Sequence, residues 1–264
     1  MKAKRIFSRL TAAFPNLKKL TASVLGGTWG VTLPCAALLL LTGLLDGLCA
    51  AGGSGAQGLM ELLTSLVVLP VTAGMITYAA GASWEGRRAT IVDAYHLARI
   101  RIKEIVITGL VAGAIVLLTG WLASMAASLM GVIPALLGWI PVIGPVITAA
   151  VSLVLWAISL VMEFLAHVVL VMGMLSLTAD GVTGRAQAER ALDILRGGGE
   201  DILYQLGLVF AMWIVVRGVQ ALLTLMIAPA GALIYALLTV VSMAAVSVIY
   251  LQTRDRRDGM RYHV

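Results

Sequence analysis

Apolar runs of twenty or more residues recur along the chain. They fall at about 22–48, 60–82, 105–130, 147–177, 202–228 and 231–252. At 1.5 Å per helical residue, a run of that length matches the hydrocarbon thickness of a bilayer. The pattern therefore predicts an all-α, polytopic fold: one transmembrane domain over 1–264 with six membrane-crossing helices. The first run, Thr21 to Leu48, is far longer than the apolar core of a cleavable signal, so it reads as a retained first helix. Pro34 and Pro70 fall inside runs and are expected to kink their helices.

The runs are separated by two kinds of connection. The stretches 45–58, 131–145 and 228–231 are rich in Gly and Pro and carry no Lys or Arg. By contrast, 84–104 and 179–201 are strongly charged, and so are the two ends, 1–20 and 253–264. The charged pieces read as short amphipathic helices. Ile6, Leu10 and Phe14 share one spacing; Tyr95, Leu97, Ile100 and Ile102 alternate with His96, Arg99, Arg101 and Lys103. In 188–198, Ala188, Ala191, Leu192 and Leu195 oppose Glu189, Arg190, Asp193 and Arg196. Glu85-Gly86 and Asp180-Gly181 each precede such a helix, and Ala94 to Arg99 echoes Ala191 to Arg196. The echo raises the prospect of three helix-plus-hairpin repeats. Gly26 to Gly30 and Gly109 to Gly113 are small-xxx-small patterns that allow close helix packing, and Trp139 is an interfacial anchor in the 131–145 connection.

Composition agrees with this reading. Sixty per cent of the residues are hydrophobic and only 12% charged. One water-soluble core of this size could not hide so much apolar surface. Of the 19 Lys and Arg, 18 lie in the ends and the two charged connections. The positive-inside bias then predicts that the charged connections and both termini are cytoplasmic. The net charge of +6 is dispersed over four juxtamembrane pieces, which argues against nucleic acid as a partner. Arg99, Arg101, Lys103, Arg254, Arg256 and Arg257 are the expected contacts to anionic lipid headgroups. Cys35 and Cys49 are too far apart on one helix to pair, and read as small apolar fillers.

The candidate chemistry lies inside the membrane. Trp213, Arg217, Gln220 and Thr224 form one polar stripe on the fifth run, and Glu163 and His167 share a face of the fourth. Counted from the charged ends of their helices, Glu163 lies roughly 21 Å deep and Arg217 roughly 22 Å. An intramembrane ion pair is the simplest expectation, with His167 beside it and Trp213 placed for a cation–π contact. The polar cluster is therefore Glu163, His167, Trp213, Arg217 and Gln220. It reads either as an interhelical clamp or as the lining of a solute path. One His and one Glu four apart make a poor metal site, so no metal or other cofactor is expected. Neither a phosphate loop nor a catalytic triad pattern occurs, so no enzymatic activity is expected.

The last run ends VIYLQTRDRRDGMRY, in which Tyr250, Arg254, Arg256, Asp258 and Gly259 stand in a fixed spacing. With the earlier acid-Gly turn and the helix ALDILRGG, this ending resembles the glycerophosphoryl diester phosphodiesterase membrane-domain-like family. Gln252 and Arg261 stand where that family often has acids. The resemblance implies a six-span protein of the bacterial inner membrane. It carries over no hydrolytic residues, because the relatives that cleave glycerophosphodiesters do so in a separate soluble domain. Two functions are therefore expected in order. The first is a non-enzymatic organising, accessory or regulatory component at the cytoplasmic face, with the bilayer and another membrane protein as partners. The second is a transporter or permease component moving an ion or small charged solute through a cavity near Glu163 and Arg217.

Overall fold

A computed structural model of the chain describes residues 2–52, 59–60, 62–115, 117–118 and 143–259. The described residues are helical throughout, joined by short turns. In order they are α1 (Lys2–Gly52), a π-helical turn (Thr64–Val68), α2 (Leu69–Trp84), α3 (Ile91–Ile100), α4 (102–115), α5 (Ile143–Thr178), α6 (Arg185–Gly197), α7 (Gly199–Met226) and α8 (Ala228–Asp258). Five segments among the described residues are long and apolar enough to cross a bilayer: Phe14–Cys49, Thr64–Trp84, Ala149–Thr178, Gly199–Thr224 and Pro229–Asp258. The chain is thus an all-helical protein with the build of a multi-pass membrane protein. The far part of the predicted third span, the connection 131–142 and Trp139 lie outside the described residues.

Helix α8 is the hub. It packs against α1, α2, α5 and α7, whereas α5 and α7 touch only lightly. In its most apolar window 67% of α8 is buried, against 11% for α7, which marks α7 as a peripheral helix. The core is densest toward one end of the bundle, where Ile76, Ile105, Met172, Met174, Leu175, Met243, Ile249 and Tyr250 are all almost fully buried. That end also receives the charged connections.

The chain absorbs its prolines in two ways. Helix α1 runs unbroken for 51 residues through Pro15 and Pro34, so the amphipathic start and the first span are one helix. Ahead of Pro70 the helix widens into a π turn, with Leu69 N–H bonded to Thr64 O. Proline lacks the amide that would complete the α-helical ladder, and an extra residue per turn relieves the misfit. Of the two small-residue patterns, only the second brings backbones together at its own glycines. A Cβ on Gly109 would meet Pro70 Cγ at 2.2 Å, and one on Gly113 would meet Leu66 Cδ2 at 3.2 Å. Gly26 and Gly30 face open space, while the intervening Gly27 takes the close approach, to Ser83.

At the charged end, an ionic network joins four helices. Asp180 closes α5 in a turn that requires a left-handed Gly181 (φ +70°). Its carboxylate accepts from Tyr250 Oη (2.7 Å), Arg190 Nε (2.9 Å) and Arg254 Nη1 (3.3 Å). Asp255 accepts from Trp84 Nε1 (2.6 Å) and Arg254 Nε (3.1 Å), while Arg190 also reaches Asp258. The carboxylates of Asp258 and Asp180 hold the Arg190 guanidinium above its ordinary pKa. Gln187 pins α6 to the bundle by donating to Thr108 Oγ1 (2.8 Å) and Gly173 O (2.7 Å).

This network corrects one expectation. Arg254 is 3% exposed and engaged by two carboxylates, so it does not reach lipid headgroups. Arg257 pairs with Asp193 at 3.0 Å, and Arg256 lies 3.6 Å from Asp201 with both side chains well exposed. Arg99 and Lys103 are exposed and Arg101 is half-buried. Helix α6 also turns a different face inward than its apolar pattern predicts. Gln187 and Ile194 are buried, whereas Leu192 is 50% exposed.

Candidate functional site

Away from the charged end the bundle is hollow. A cavity of about 550 Å³ opens between α1, the π turn, α4, α5, α7 and α8. Its floor is the packed core, and its wall is mainly apolar with polar side chains set into it. Helix α1 contributes Thr42 and Asp46, the π turn Thr64 and Ser65, α5 Glu163 and His167, α7 Trp213, Arg217, Gln220 and Thr224, and α8 Tyr235 and Thr239. The size is that of a small-molecule site, for which a few hundred cubic ångströms is typical.

The polar stripe of α7 faces this space. Arg217 Nη2 donates to Glu163 Oε1, and Nη1 donates to Gln220 Oε1 at 2.7 Å. Its guanidinium sits 5.8 Å from the Trp213 ring centroid and 5.2 Å from that of Tyr235. The pair is not dry: the side chains of Arg217 and Glu163 are 23% and 31% exposed. A second recess of about 280 Å³, between α5 and α7, is bounded by the same Glu163, Arg217 and Gln220. The ion pair thus stands as a partition between an inner cavity and a lateral hollow.

His167 joins this cluster through Trp213, at 5.0 Å between ring centroids, and not through Glu163. Its Nε2 lies 2.9 Å from Ser242 Oγ on α8. Ser242 Oγ also lies 2.9 Å from Thr239 O, so one hydroxyl serves both contacts and the His167 tautomer sets which way the shared hydrogen bond runs. Phe164 packs on Phe210 and Trp213 just below, closing the α5–α7 seam toward the charged end. The structure therefore brings together Glu163, Trp213, Arg217 and Gln220 directly, with His167 one residue removed.

Five lining residues on three elements escape the sequence reading. Asp46 was assigned to a connection, yet α1 continues to Gly52 and turns Asp46 toward the cavity wall one turn after Thr42. The i, i+4 spacing of Thr42 and Asp46 was the available signal. Tyr235 and Thr239 belong to a second polar stripe, with Ser242, on α8. Thr64 and Ser65 depend on the π turn, for which only Pro70 is a hint. Among the described residues, no group of three or more His, Cys, Asp or Glu is placed to hold a metal. Cys35 is buried, Cys49 half-buried, and both are free thiols.

These features define a helical, multi-pass membrane-protein class with a polar cavity inside its apolar zone. Comparison with protein-family models, curated proteins and solved structures finds no match to this chain.

Proposed function

We propose that this is a six-span protein of the bacterial inner membrane, with both termini cytoplasmic, that binds a small solute in its intramembrane cavity as a transporter or permease component. The observation that carries the reading is the 550 Å³ cavity walled by Glu163, Arg217, Gln220 and hydroxyl groups where hydrocarbon would otherwise surround the helices. A pair that served packing alone would gain most from full burial against neighbouring apolar atoms, and this one borders two hollows. Ionisable groups at membrane depth that line a space are the usual mark of a solute or ion path. Both termini cytoplasmic then places the cavity in the outer half of the membrane and the ionic network at its inner surface. No catalytic step is invoked.

The accessory reading has its own support. Val92, Tyr95 and Ile100 on α3 and Leu192 on α6 are largely exposed at the charged end, where they suit an interface with lipid or a membrane-protein partner. We also retain as proposals the kinship with the phosphodiesterase membrane-domain-like family and the repeat architecture. The first is supported by Tyr250, Arg254 and Asp258 forming one network with Asp180. The second is supported by left-handed glycines at both acid-Gly turns, Gly86 and Gly181.

Thiol accessibility tests the solute-binding reading. In a Cys35→Ala, Cys49→Ser background reconstituted into proteoliposomes, Ser65→Cys should react with a water-soluble, impermeant methanethiosulfonate. Reaction only after denaturation overturns the reading and favours the accessory role.

A further inference from the structure

We infer that the cavity takes a small organic cation, a primary ammonium, with Asp46 as its counter-ion. The inference rests on the solute-binding reading above and adds the chemistry of the ligand.

Charge is the first argument. Two carboxylates, Asp46 and Glu163, line the cavity against one guanidinium, Arg217. Glu163 and Arg217 answer each other through their direct bond. Asp46 has no such partner: its Oδ1 is buried and makes no hydrogen bond. A buried carboxylate oxygen without a donor is costly unless a cation or donor completes it.

The second argument is the direction of the hydroxyl groups. Thr42, Thr224 and Thr239 each donate to a carbonyl of their own helix: Leu39 O (3.0 Å), Gln220 O (2.9 Å) and Tyr235 O (2.8 Å). With its one hydrogen engaged, each hydroxyl can offer a ligand only lone pairs. The wall is therefore rich in acceptors, and an ammonium supplies three donors. Thr64 Oγ1, buried and unpartnered, adds a further acceptor or donor. Donors stand there as well: Trp213 is 2% exposed and its indole N–H has no acceptor, and the Gln220 amide, which accepts from Arg217 through Oε1, carries two N–H groups. A small amine that also carries an oxygen, of the ethanolamine type, meets both requirements. A bare alkali ion would leave most of a 550 Å³ space and the Trp213 N–H unanswered.

The experiment uses the full chain carrying Ser65→Cys in the cysteine-substituted background, in phosphatidylcholine nanodiscs that contribute no primary amine. The rates of modification by the cationic reagent MTSET and the anionic reagent MTSES are compared, with and without ethanolammonium, ethylammonium, acetate or sodium. With each rate divided by that of the same reagent with a free thiol, MTSET should be favoured over MTSES by about tenfold, as one nearby charge of effective dielectric ~20 allows. Ethanolammonium should protect the thiol saturably and better than ethylammonium, whereas acetate should not protect. Asp46→Asn should return the normalised ratio to one and abolish protection. Adding phosphatidylethanolamine separates the sources of the ammonium, because protection by the lipid alone assigns the site to a headgroup.

A thiol with the same MTSET-to-MTSES ratio as a free thiol, or protection that survives Asp46→Asn or is matched by sodium, overturns the cation assignment while leaving the cavity reading standing. A thiol inert to both reagents in the folded protein overturns both.

Discussion

The two ends of this helical bundle treat charge in opposite ways. At the charged end, Asp180, Arg190, Arg254, Asp255 and Asp258 interlock with Tyr250 and Trp84. Each carboxylate of the inner pair, Asp180 and Asp255, has at least two donors, and the surrounding core is closely packed. At the hollow end, one ion pair bridges α5 and α7 beside a cavity, and three buried polar atoms there, on Asp46, Thr64 and Trp213, lack partners, against one elsewhere among the described residues, Thr21 Oγ1. The lesson is that full satisfaction marks a structural device, and incomplete satisfaction around a void marks a place for something else.

That contrast can be broken most directly at Asp180. Asp180→Ala leaves the Arg254 guanidinium, 4% exposed at the side chain, with Asp255 alone, takes a carboxylate from Arg190 and removes the carboxylate acceptor of Tyr250. Loss of one partner of a buried pair costs about 3–5 kcal/mol. Thermal unfolding in detergent should show the largest loss of any single charge removal in the protein. A loss no greater than that of Glu163→Gln would erase the distinction between the two ends.

Tyr250→Phe comes next. It deletes a hydroxyl that donates to Asp180 and lies 3.0 Å from Ser176 Oγ, without changing the ring packing. A buried acceptor left short of one donor costs about 1–3 kcal/mol, and the same unfolding assay reads it. Little change there would mean water replaces the hydroxyl and the end is less closed than its packing implies.

At the hollow end, Glu163→Gln and Arg217→Gln should each cost only about 1 kcal/mol, because the stranded partner stays hydrated by the cavity. The double variant should cost less than the sum of the singles, as the two side chains contact one another. A cost as large as that of Asp180→Ala would place this pair in a dry environment and turn it into a packing clamp.

The smallest effect concerns α3. Its cap is reciprocal: Thr90 Oγ1 accepts from Asp93 N–H at 3.2 Å, and the Asp93 carboxylate accepts from Thr90 Oγ1 at 2.7 Å and Thr90 N–H at 3.3 Å. Those bonds from Thr90 hold the Asp93 carboxyl below its ordinary pKa. A lowered folded-state pKa contributes stability that is present above the unfolded value of about 3.9 and lost as pH falls through the lower folded value. Amide exchange of residues 91–100, corrected for intrinsic rate, should rise as pH falls through that window. Thr90→Ala should flatten the dependence while sparing the rest of the bundle.

Much of the fold was legible in hydropathy, because a bilayer imposes a length and an apolarity on any helix that crosses it. Helices α5, α7 and α8 occupy their predicted runs within a few residues, although α8 continues to Asp258 and takes the start of the basic tail into the bundle. The candidate site was half legible. The stripe Trp213, Arg217, Gln220, Thr224 follows from helical periodicity alone, and the depths of Glu163 and Arg217 follow from counting. Asp46 was hidden because a Gly-rich stretch looks like a connection, and Gln187 because one polar residue among many in a charged segment has no distinguishing pattern.

What the chain by itself determined is local: which segments are helical, how deep each charge lies, and which side chains share a helix face. These follow from a rise of 1.5 Å and a turn of 3.6 residues, quantities that need no neighbour. The tertiary structure decided which helix stands beside which. It thereby decided that Arg254 belongs to Asp180 and Asp255, not to lipid, that His167 answers Ser242, not Glu163, and that the polar stripes of α7 and α8 face a common space with Asp46. Those outcomes depend on close approaches such as Gly109 on Pro70, where the absence of a side chain sets the distance between helices. No pattern within one helix encodes the surface of another.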